Sequence, residues 1–405
     1  MIYLIIILSF IILSYVYDYR GVTRFRLIWW LSLMVVLICV AGFRYQMGTD
    51  SIKYENEFKW LQPTLQDLRA EDFKNTRFAP LYIILSAACK SLTPEFMLVQ
   101  FVVATIVNCT IFRFIWKNTP HIFLAGLLYC FFLYFMLNME VLREAIASCV
   151  FLWSWPFFKK GKWIPYYLMS CVAFFFHVSA VVLFLLPVLW LPGVRSLFTF
   201  GKRTLLIVFF VIAMSFSIRY FLFDFVKLIA LTDSMAERAE VYSKSEFGTN
   251  ILNVKGAAVT LLRLIVYPLA AIYLLHKNGK ITAAYDGERK MEMLSLLQVY
   301  AVCMSIGISI FLRYNHYFMI FSIILISRVA YTVVHSGKRR FHLNYVYWCM
   351  ILTPLFSLQV YDLYLAPFNK SGSLKCYQMY YPYSNQFDKE ISPDRKKIIQ
   401  YSRRL

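Results

Sequence analysis

Charged residues are scarce in this chain. Only 16% of its 405 residues are Asp, Glu, Lys or Arg, whereas 60% are hydrophobic. Soluble domains carry about 25% charged residues, so this composition excludes an ordinary soluble protein. The net charge of +20 does not indicate nucleic-acid binding, because excess cations in a membrane protein record which loops stay in the cytoplasm.

The local signatures of several enzyme classes are missing as well. The chain has no P-loop, no G-x-S-x-G, no H-E-x-x-H, no Asp-x-Asp and no C-x-x-C. These absences disfavour nucleotide hydrolysis, serine hydrolysis and a metal site, and we expect no cofactor. Most of the nine cysteines lie in apolar segments, where we interpret them as small buried hydrophobic residues.

Long apolar runs are what the chain has in abundance. A helix needs about 20 apolar residues to cross a bilayer, so we predict an all-α polytopic membrane protein with about 12 transmembrane helices. The twelve runs are Ile2 to Tyr17, Ile28 to Phe43, Phe96 to Ile115, Ile122 to Asn138, Leu142 to Phe158, Ile164 to Phe176, Ser179 to Leu191, Thr204 to Leu222, Ala257 to Leu275, Leu294 to Leu312, Tyr317 to Val334 and Tyr345 to Ala366.

A thirteenth run, Ala79 to Leu92, is shorter and contains Lys90. If this run crossed the membrane, the basic turn 159–162 would face outward, against the positive-inside rule. We therefore predict a re-entrant or interfacial helix on the outer side.

This topology predicts the division of the chain. Residues 1–366 form a single transmembrane domain with outer loops at 44–78 and 223–256, and residues 367–405 form a polar, basic tail. The side of the membrane on which the tail lies stays open, because its cations would violate the positive-inside rule outside.

Four arginines do not fit the cytoplasmic charge pattern. Arg44, Arg143 and Arg313 stand at the outer ends of predicted crossings, and Arg263 lies inside one. Guanidinium groups offer fixed, bidentate donors and keep their charge. We predict that these four residues converge on a diphosphate in an outer, water-filled cavity.

Asp50 is the candidate base for a hydroxyl nucleophile on that side, and His177 is the second candidate. Two of these positions, Arg143 and His177, also have purely structural interpretations. Glu140, three residues before Arg143, offers a helix-terminal ion pair. A lone histidine such as His177 is more often a hydrogen-bonded structural residue.

Aromatic residues are plentiful near the outer charges. Most belong to interfacial belts, but a minority suits stacking on sugar rings. Tyr54, Tyr314 and His316 are the candidates for substrate contacts, because they lie beside the outer arginines.

Three ordered elements in the first half of the chain match a family pattern. They are Phe43-Arg44 with Gly48-Thr49-Asp50 and Tyr54, then Leu142-Arg143-Glu144-Ala145-Ile146-Ala147, then Phe176-His177-Val178-Ser179-Ala180. This set resembles the EpsG-like branch of bacterial Wzy-type polysaccharide polymerases. The second half matches mainly in hydropathy. Glu144 departs from the glutamine frequent in the family and puts a second acid beside Arg143.

The resemblance implies a multi-pass enzyme of the bacterial inner membrane with its active site facing the periplasm or cell exterior. Such an enzyme joins oligosaccharide repeat units carried on undecaprenyl diphosphate into O-antigen, capsule or exopolysaccharide. It needs neither a metal nor a nucleotide sugar, and a chain-length regulator is the protein partner to expect. Lipid-dependent glycosyltransferases also carry an acidic first outer loop followed by half-inserted helices, so the fold is GT-C-like by analogy.

Two rival functions remain open. A flippase or transporter of the lipid-linked unit would also use a cationic cavity, but such proteins commonly show repeat symmetry, and none is evident here. Another membrane glycosyltransferase or an acyltransferase is the second rival. A single-sugar transferase would add one residue without changing chain length.

Overall fold

The computed structural model describes residues 2–73, 79–228, 254–279, 286–335, 341–361, 365–368 and 372–404. Within these ranges the chain is helical, with two isolated β-bridges and no strand. It divides into two compact units. Unit 1 comprises Met1–Leu186 and Val333–Leu405, and unit 2 comprises Pro187–Thr332. Most of the predicted outer loop 223–256 lies outside the described residues.

Sixteen α-helices occur in the described ranges. In chain order they are α1 (Ile2–Leu13), α2 (Arg26–Gly42), α3 (Thr49–Trp60), α4 (Pro80–Leu92), α5 (Met97–Asn118), α6 (Ile122–Tyr129), α7 (Leu142–Lys159), α8 (Trp163–Phe176), α9 (Val182–Leu189), α10 (Thr204–Leu228), α11 (Val254–Leu261), α12 (Tyr267–Lys277), α13 (Asp286–Ser305), α14 (Arg313–His335), α15 (Phe341–Val360) and α16 (Pro393–Arg404).

Each predicted apolar run coincides with a helix or a short series of helices. Among the described residues, four stretches are long and apolar enough to cross a membrane by length and composition: Ile2–Tyr19, Met97–Asn118, Gly256–Lys277 and Ser309–Ala330. Shorter apolar helices account for most of the other predicted runs. The helical membrane class is therefore confirmed, and the number of twelve crossings stays a prediction.

Helix α4 begins at Pro80, where the fixed φ angle and the missing N–H of proline suit a first helical position. The structure shows why this short apolar run contains the charged residue Lys90. The ammonium donates to the carbonyl of Phe58, 2.7 Å away, and to that of Gln62. Since these carbonyls lie at the carboxyl end of α3, Lys90 fixes α4 to α3. The sequence did not predict α3, which is polar and lies within the predicted outer loop 44–78.

The predicted run Leu294 to Leu312 and the helix found there differ at both ends. The run Leu294 to Leu312 becomes helix α13, which begins at Asp286 and ends at Ser305. A Cβ atom at Gly307 would stand 2.6 Å from the carbonyl oxygen of Ser215. Helix α13 therefore ends where the turn that follows it contacts the backbone of α10. A short 3-10 turn, Ser309–Leu312, leads into α14.

The C-terminal tail packs on the first outer loop within unit 1. The backbone N–H of Tyr45 donates to the carbonyl of Ser384, and the N–H of Gln386 donates to the carbonyl of Phe43, both at 2.9 Å. Arg44 and Asn385 form an antiparallel bridge between them. Because paired backbones share one side of a membrane, we infer that the tail lies on the same side as the predicted outer loop 44–78.

Arg395 locks the tail's own fold. Its side chain is fully buried, and burial lowers the pKa of the guanidinium. The guanidinium donates to the hydroxyl of Ser384 at 2.6 Å and to the carbonyl of Pro382. Arg395 therefore belongs to the tail's interior and is not one of the tail's exposed cations.

Candidate functional site

The Glu140 carboxylate is the centre of a polar cluster in unit 1. Its oxygens accept the backbone N–H groups of Thr49 at 3.1 Å and Asp50 at 3.0 Å, and the hydroxyl of Thr49 at 3.0 Å. The first N–H groups of a helix have no partner within the helix. Glu140, which follows Asp50 by 90 residues in the chain, therefore caps α3 and fixes the backbone that carries Asp50.

The same carboxylate is bound to the tail, because the Tyr380 hydroxyl donates a hydrogen bond to it. Burial raises the pKa of Glu140, and these hydrogen bonds oppose that rise. In the described part of the chain, Glu140 forms no ion pair with Arg143. The alternative of a helix-terminal pair three residues apart is thus not what the structure contains.

Gly48 allows the α3 backbone to approach Glu140. Its φ angle is +91°, in the region that favours glycine. A Cβ atom there would stand 2.3 Å from the carbonyl oxygen of Met139 and 3.3 Å from the Glu140 carboxyl carbon. The glycine of the Gly48-Thr49-Asp50 element is therefore required both by its backbone angle and by this close contact.

Asp50 is the second residue of α3, a position that suits a negative side chain because the helix dipole is positive there. The residue is half-buried. Its backbone is held by Glu140, while its carboxylate forms no hydrogen bond to another residue in the described ranges. This arrangement leaves a positioned acceptor available to a ligand.

Arg143 lies at the start of α7 and reaches α3. Its Nε donates to the Tyr54 hydroxyl at 3.2 Å, and its guanidinium carbon lies 5.4 Å from the centre of the Tyr54 ring. Tyr54 in turn packs on Tyr82 of α4, with ring centres 5.7 Å apart. Tyr54 and Tyr82 are both buried and Arg143 is half-buried. The two tyrosines therefore hold the arginine in place.

Asp50 and Tyr54 are four residues apart on α3. Side chains at this spacing lie on the same face of a helix, one turn apart. Because Arg143 contacts Tyr54, the guanidinium lies on the face of α3 that carries Asp50. Unit 1 thus places an acid and a cation on one face of α3.

Arg44 has a different environment from Arg143. Its side chain is fully buried, and burial lowers the pKa of the guanidinium to about 10. It donates to the carbonyl of Ala41 and, at 3.0 Å, to the hydroxyl of Ser51. These contacts join the end of α2 to the first turn of α3. The geometry supports a bracing role for Arg44 beneath Asp50.

His177 follows the last residue of α8 and lies in the turn that leads to α9. Its Nδ1 lies 2.6 Å from the Ser179 hydroxyl and accepts the Ser179 backbone N–H at 3.3 Å. The ring is buried and caps the short 3-10 turn Val178–Val181. The structural interpretation of this histidine fits these contacts, which also explain why serine follows it two residues later.

The remaining predicted site residues lie in unit 2. Arg313 is the first residue of α14 and is half-buried, as are Tyr314 and His316. Arg263 is 6% exposed in the π-helical turn Leu262–Val266 between α11 and α12, and such turns occur often at functional sites.

A buried polar network lies close to Arg263 in unit 2. Gln298 donates to the carbonyl of Leu264 at 3.1 Å and to the Asn315 side chain at 2.9 Å. The Ser322 hydroxyl donates to Gln298 at 3.0 Å. Polar side chains inside a membrane domain usually mark a functional region or a helix contact.

Two contributors to the unit 1 cluster were missed from the sequence. The sequence suggests Glu140 only as a partner of Arg143, and it does not single out Tyr380. A signal for Glu140 was available in the glycine of Gly48-Thr49-Asp50, which indicates a close backbone approach. No local signal points to Tyr380, because its partner lies 240 residues away. No group of three His, Cys, Asp or Glu residues suited to a metal ion occurs among the described residues.

In the part of the chain that the structure describes, the apolar helices and the lack of strands indicate a helical membrane protein. A family model described as the EpsG family matches residues 27–385, and this chain belongs to that family. The resemblance found in the first half of the sequence is thereby confirmed, and the match extends through most of the second half. Membership makes the chain a polysaccharide-related membrane protein. No curated protein and no solved structure matches it significantly.

Proposed function

We propose that this protein is a polysaccharide polymerase of the inner membrane, which joins oligosaccharide repeat units carried on undecaprenyl diphosphate at the periplasmic face. Its EpsG family membership supports a role in polysaccharide synthesis. The single observation that carries the proposal is the shared α3 face, where Asp50 lies one turn from Tyr54 and Tyr54 binds Arg143.

The proposed reaction is a transfer between two lipid-linked units. A hydroxyl oxygen of the acceptor sugar attacks the anomeric carbon of the donor, and Asp50 takes the hydroxyl proton. The bond between the anomeric carbon and the diphosphate oxygen breaks as the glycosidic bond forms. Arg143 stabilises the negative charge that develops on the departing diphosphate.

Each of the other residues has a narrower role in this proposal. Glu140 and Arg44 fix the first turn of α3, and Tyr54 holds Arg143 rather than stacking on sugar, because its ring is buried. In unit 2, Arg313 is the candidate for binding phosphate, and Tyr314 and His316 are the candidates for contacting sugar. The reaction as written requires no metal.

A deletion of the gene in the source bacterium tests the proposal. Surface polysaccharide from the deletion strain is compared by gel with that of strains complemented by the wild type or by Arg69→Ala, an exposed cation of the same outer loop. We expect the ladder to collapse to a single capped repeat unit and both complemented strains to restore it.

Two other results would contradict the polymerase. An unchanged ladder, or one that lacks only a decoration, would indicate a modifying transferase. The absence of even the single capped unit, with lipid-linked units accumulating inside the cell, would indicate a flippase.

A further inference from the structure

An apolar cavity of about 320 Å³ lies in unit 1, within the size range of small-molecule sites. Its walls include Ile6 and Ile7 of α1, Tyr134 and Phe135 after α6, and Tyr377 and Tyr380 of the tail. Seven of its twelve lining residues are aromatic. Such a lining favours a hydrocarbon ligand over a sugar or a free anion, because a polar group buried without partners costs free energy.

Helix α1 separates this cavity from the outside of the unit. Its opposite face exposes Leu4, Ile5 and Leu8 by 54%, 59% and 47%, and α1 belongs to one of the four candidate membrane spans. Apolar side chains on the outside of a membrane span contact lipid. The cavity therefore lies one helix away from the hydrocarbon of the bilayer.

Tyr380 joins the cavity to the polar cluster. Its ring lines the cavity, and its hydroxyl donates to Glu140, which holds the backbone of Thr49 and Asp50. An occupant of this cavity thus has an apolar environment at one end and the Asp50 region at the other.

We propose that the cavity binds the isoprenoid chain of the lipid-linked diphosphate substrate and thereby holds its head group beside Asp50. The choice of this lipid rests on the proposed function, whereas the amphipathic character of the ligand rests on the cavity and its polar end. The hydrocarbon segment nearest the diphosphate occupies the space between α1 and the tail.

Photo-crosslinking of the full-length protein in phosphatidylglycerol vesicles tests this site independently of turnover. The probe is a polyprenyl diphosphate with a diazirine in its first isoprene units. We expect crosslinked peptides from α1 and from residues 377–381, and unlabelled polyprenyl diphosphate should compete. Crosslinks confined to lipid-facing helices elsewhere, or equal competition by phosphatidylglycerol, would overturn the proposal.

A matched pair of variants adds an affinity measurement. Ile7→Trp fills the cavity, and Leu8→Trp places the same side chain on the exposed face of α1. Exclusion of only two methylene groups weakens binding by about tenfold, so we expect at least that loss for Ile7→Trp and none for Leu8→Trp. Val360→Trp, on another wall, repeats the test if Ile7→Trp does not fold.

The outcomes separate this site from the proposed function. Unchanged binding and turnover in folded Ile7→Trp and Val360→Trp would overturn the cavity assignment and leave the polymerase intact. Cavity crosslinks that disappear in these variants would support the assignment even in a protein that does not polymerise.

Discussion

Tyr380 of the C-terminal tail donates a hydrogen bond to the carboxylate of Glu140, which also accepts the backbone N–H of Asp50. Two regions separated by 240 residues therefore meet at one buried acid. The tail contributes directly to the position of the candidate base, and residues 377–386 are part of the site's support.

Tyr380→Phe should lower the free energy of unfolding. The variant keeps the ring and removes one donor to a buried carboxylate, a loss worth about 1–3 kcal/mol. Thermal unfolding in detergent measures the effect, with Tyr381→Phe as the control because Tyr381 is 49% exposed. Equal melting temperatures for the two variants would contradict the importance of the Tyr380 contact.

Glu140 predicts a specific pH dependence. Burial raises its folded-state pKa above the usual value of 4.5, so the folded protein binds the proton more tightly than the unfolded chain does. The resulting stabilisation is fully present below pH 4.5 and is lost as the pH rises through the pKa of Glu140 in the folded protein.

Comparison with Glu140→Gln isolates this contribution, since glutamine does not ionise. From pH 4 to 7, the melting temperature of the wild type should fall relative to that of Glu140→Gln. The melting temperature of Glu390→Gln, a change at an exposed residue, should follow that of the wild type throughout. A difference between wild type and Glu140→Gln that stays constant with pH would disprove the assignment.

Gly48→Ala should be far more damaging than Gly21→Ala. Both glycines have positive φ angles, and placing an alanine in such a conformation costs about 1–2 kcal/mol. Only at Gly48 does the added Cβ also meet a backbone oxygen, at 2.3 Å, while at Gly21 no atom lies within 4 Å. Folded yield and melting temperature should therefore fall much further for Gly48→Ala, and similar losses in both would contradict the close contact.

Arg143→Ala should abolish long chains while the protein is still expressed. Loss of a group that stabilises transition-state charge costs about 10²- to 10³-fold in rate. Arg143→Lys should recover part of the activity, because lysine keeps the charge without the planar donors. Arg313→Ala should also lose long chains, and Arg69→Ala is the matched control. Normal chain length in both Arg143→Ala and Arg313→Ala would contradict diphosphate binding by these two arginines.

The positions of the apolar helices were largely predictable, because long apolar runs in the sequence indicate them. Helix α3 was not, since its polar sequence lacks that signal and its start is stabilised by Glu140, 90 residues away. Arg44 and Arg143 look alike in sequence, both at predicted outer helix ends. Only tertiary packing buries the first and leaves the second half-buried, so the sequence alone did not show that their environments differ.

The most direct test of the account is turnover by purified protein in vesicles supplied with lipid-linked repeat units. Wild type should lengthen the glycan and release one polyprenyl diphosphate for each new bond. Asp50→Asn should retain substrate binding and lose turnover by about 10²- to 10⁴-fold, the range for a general base. Full turnover by Asp50→Asn would contradict the assigned base and direct attention to His177, and transport of intact units without bond formation would contradict the polymerase itself.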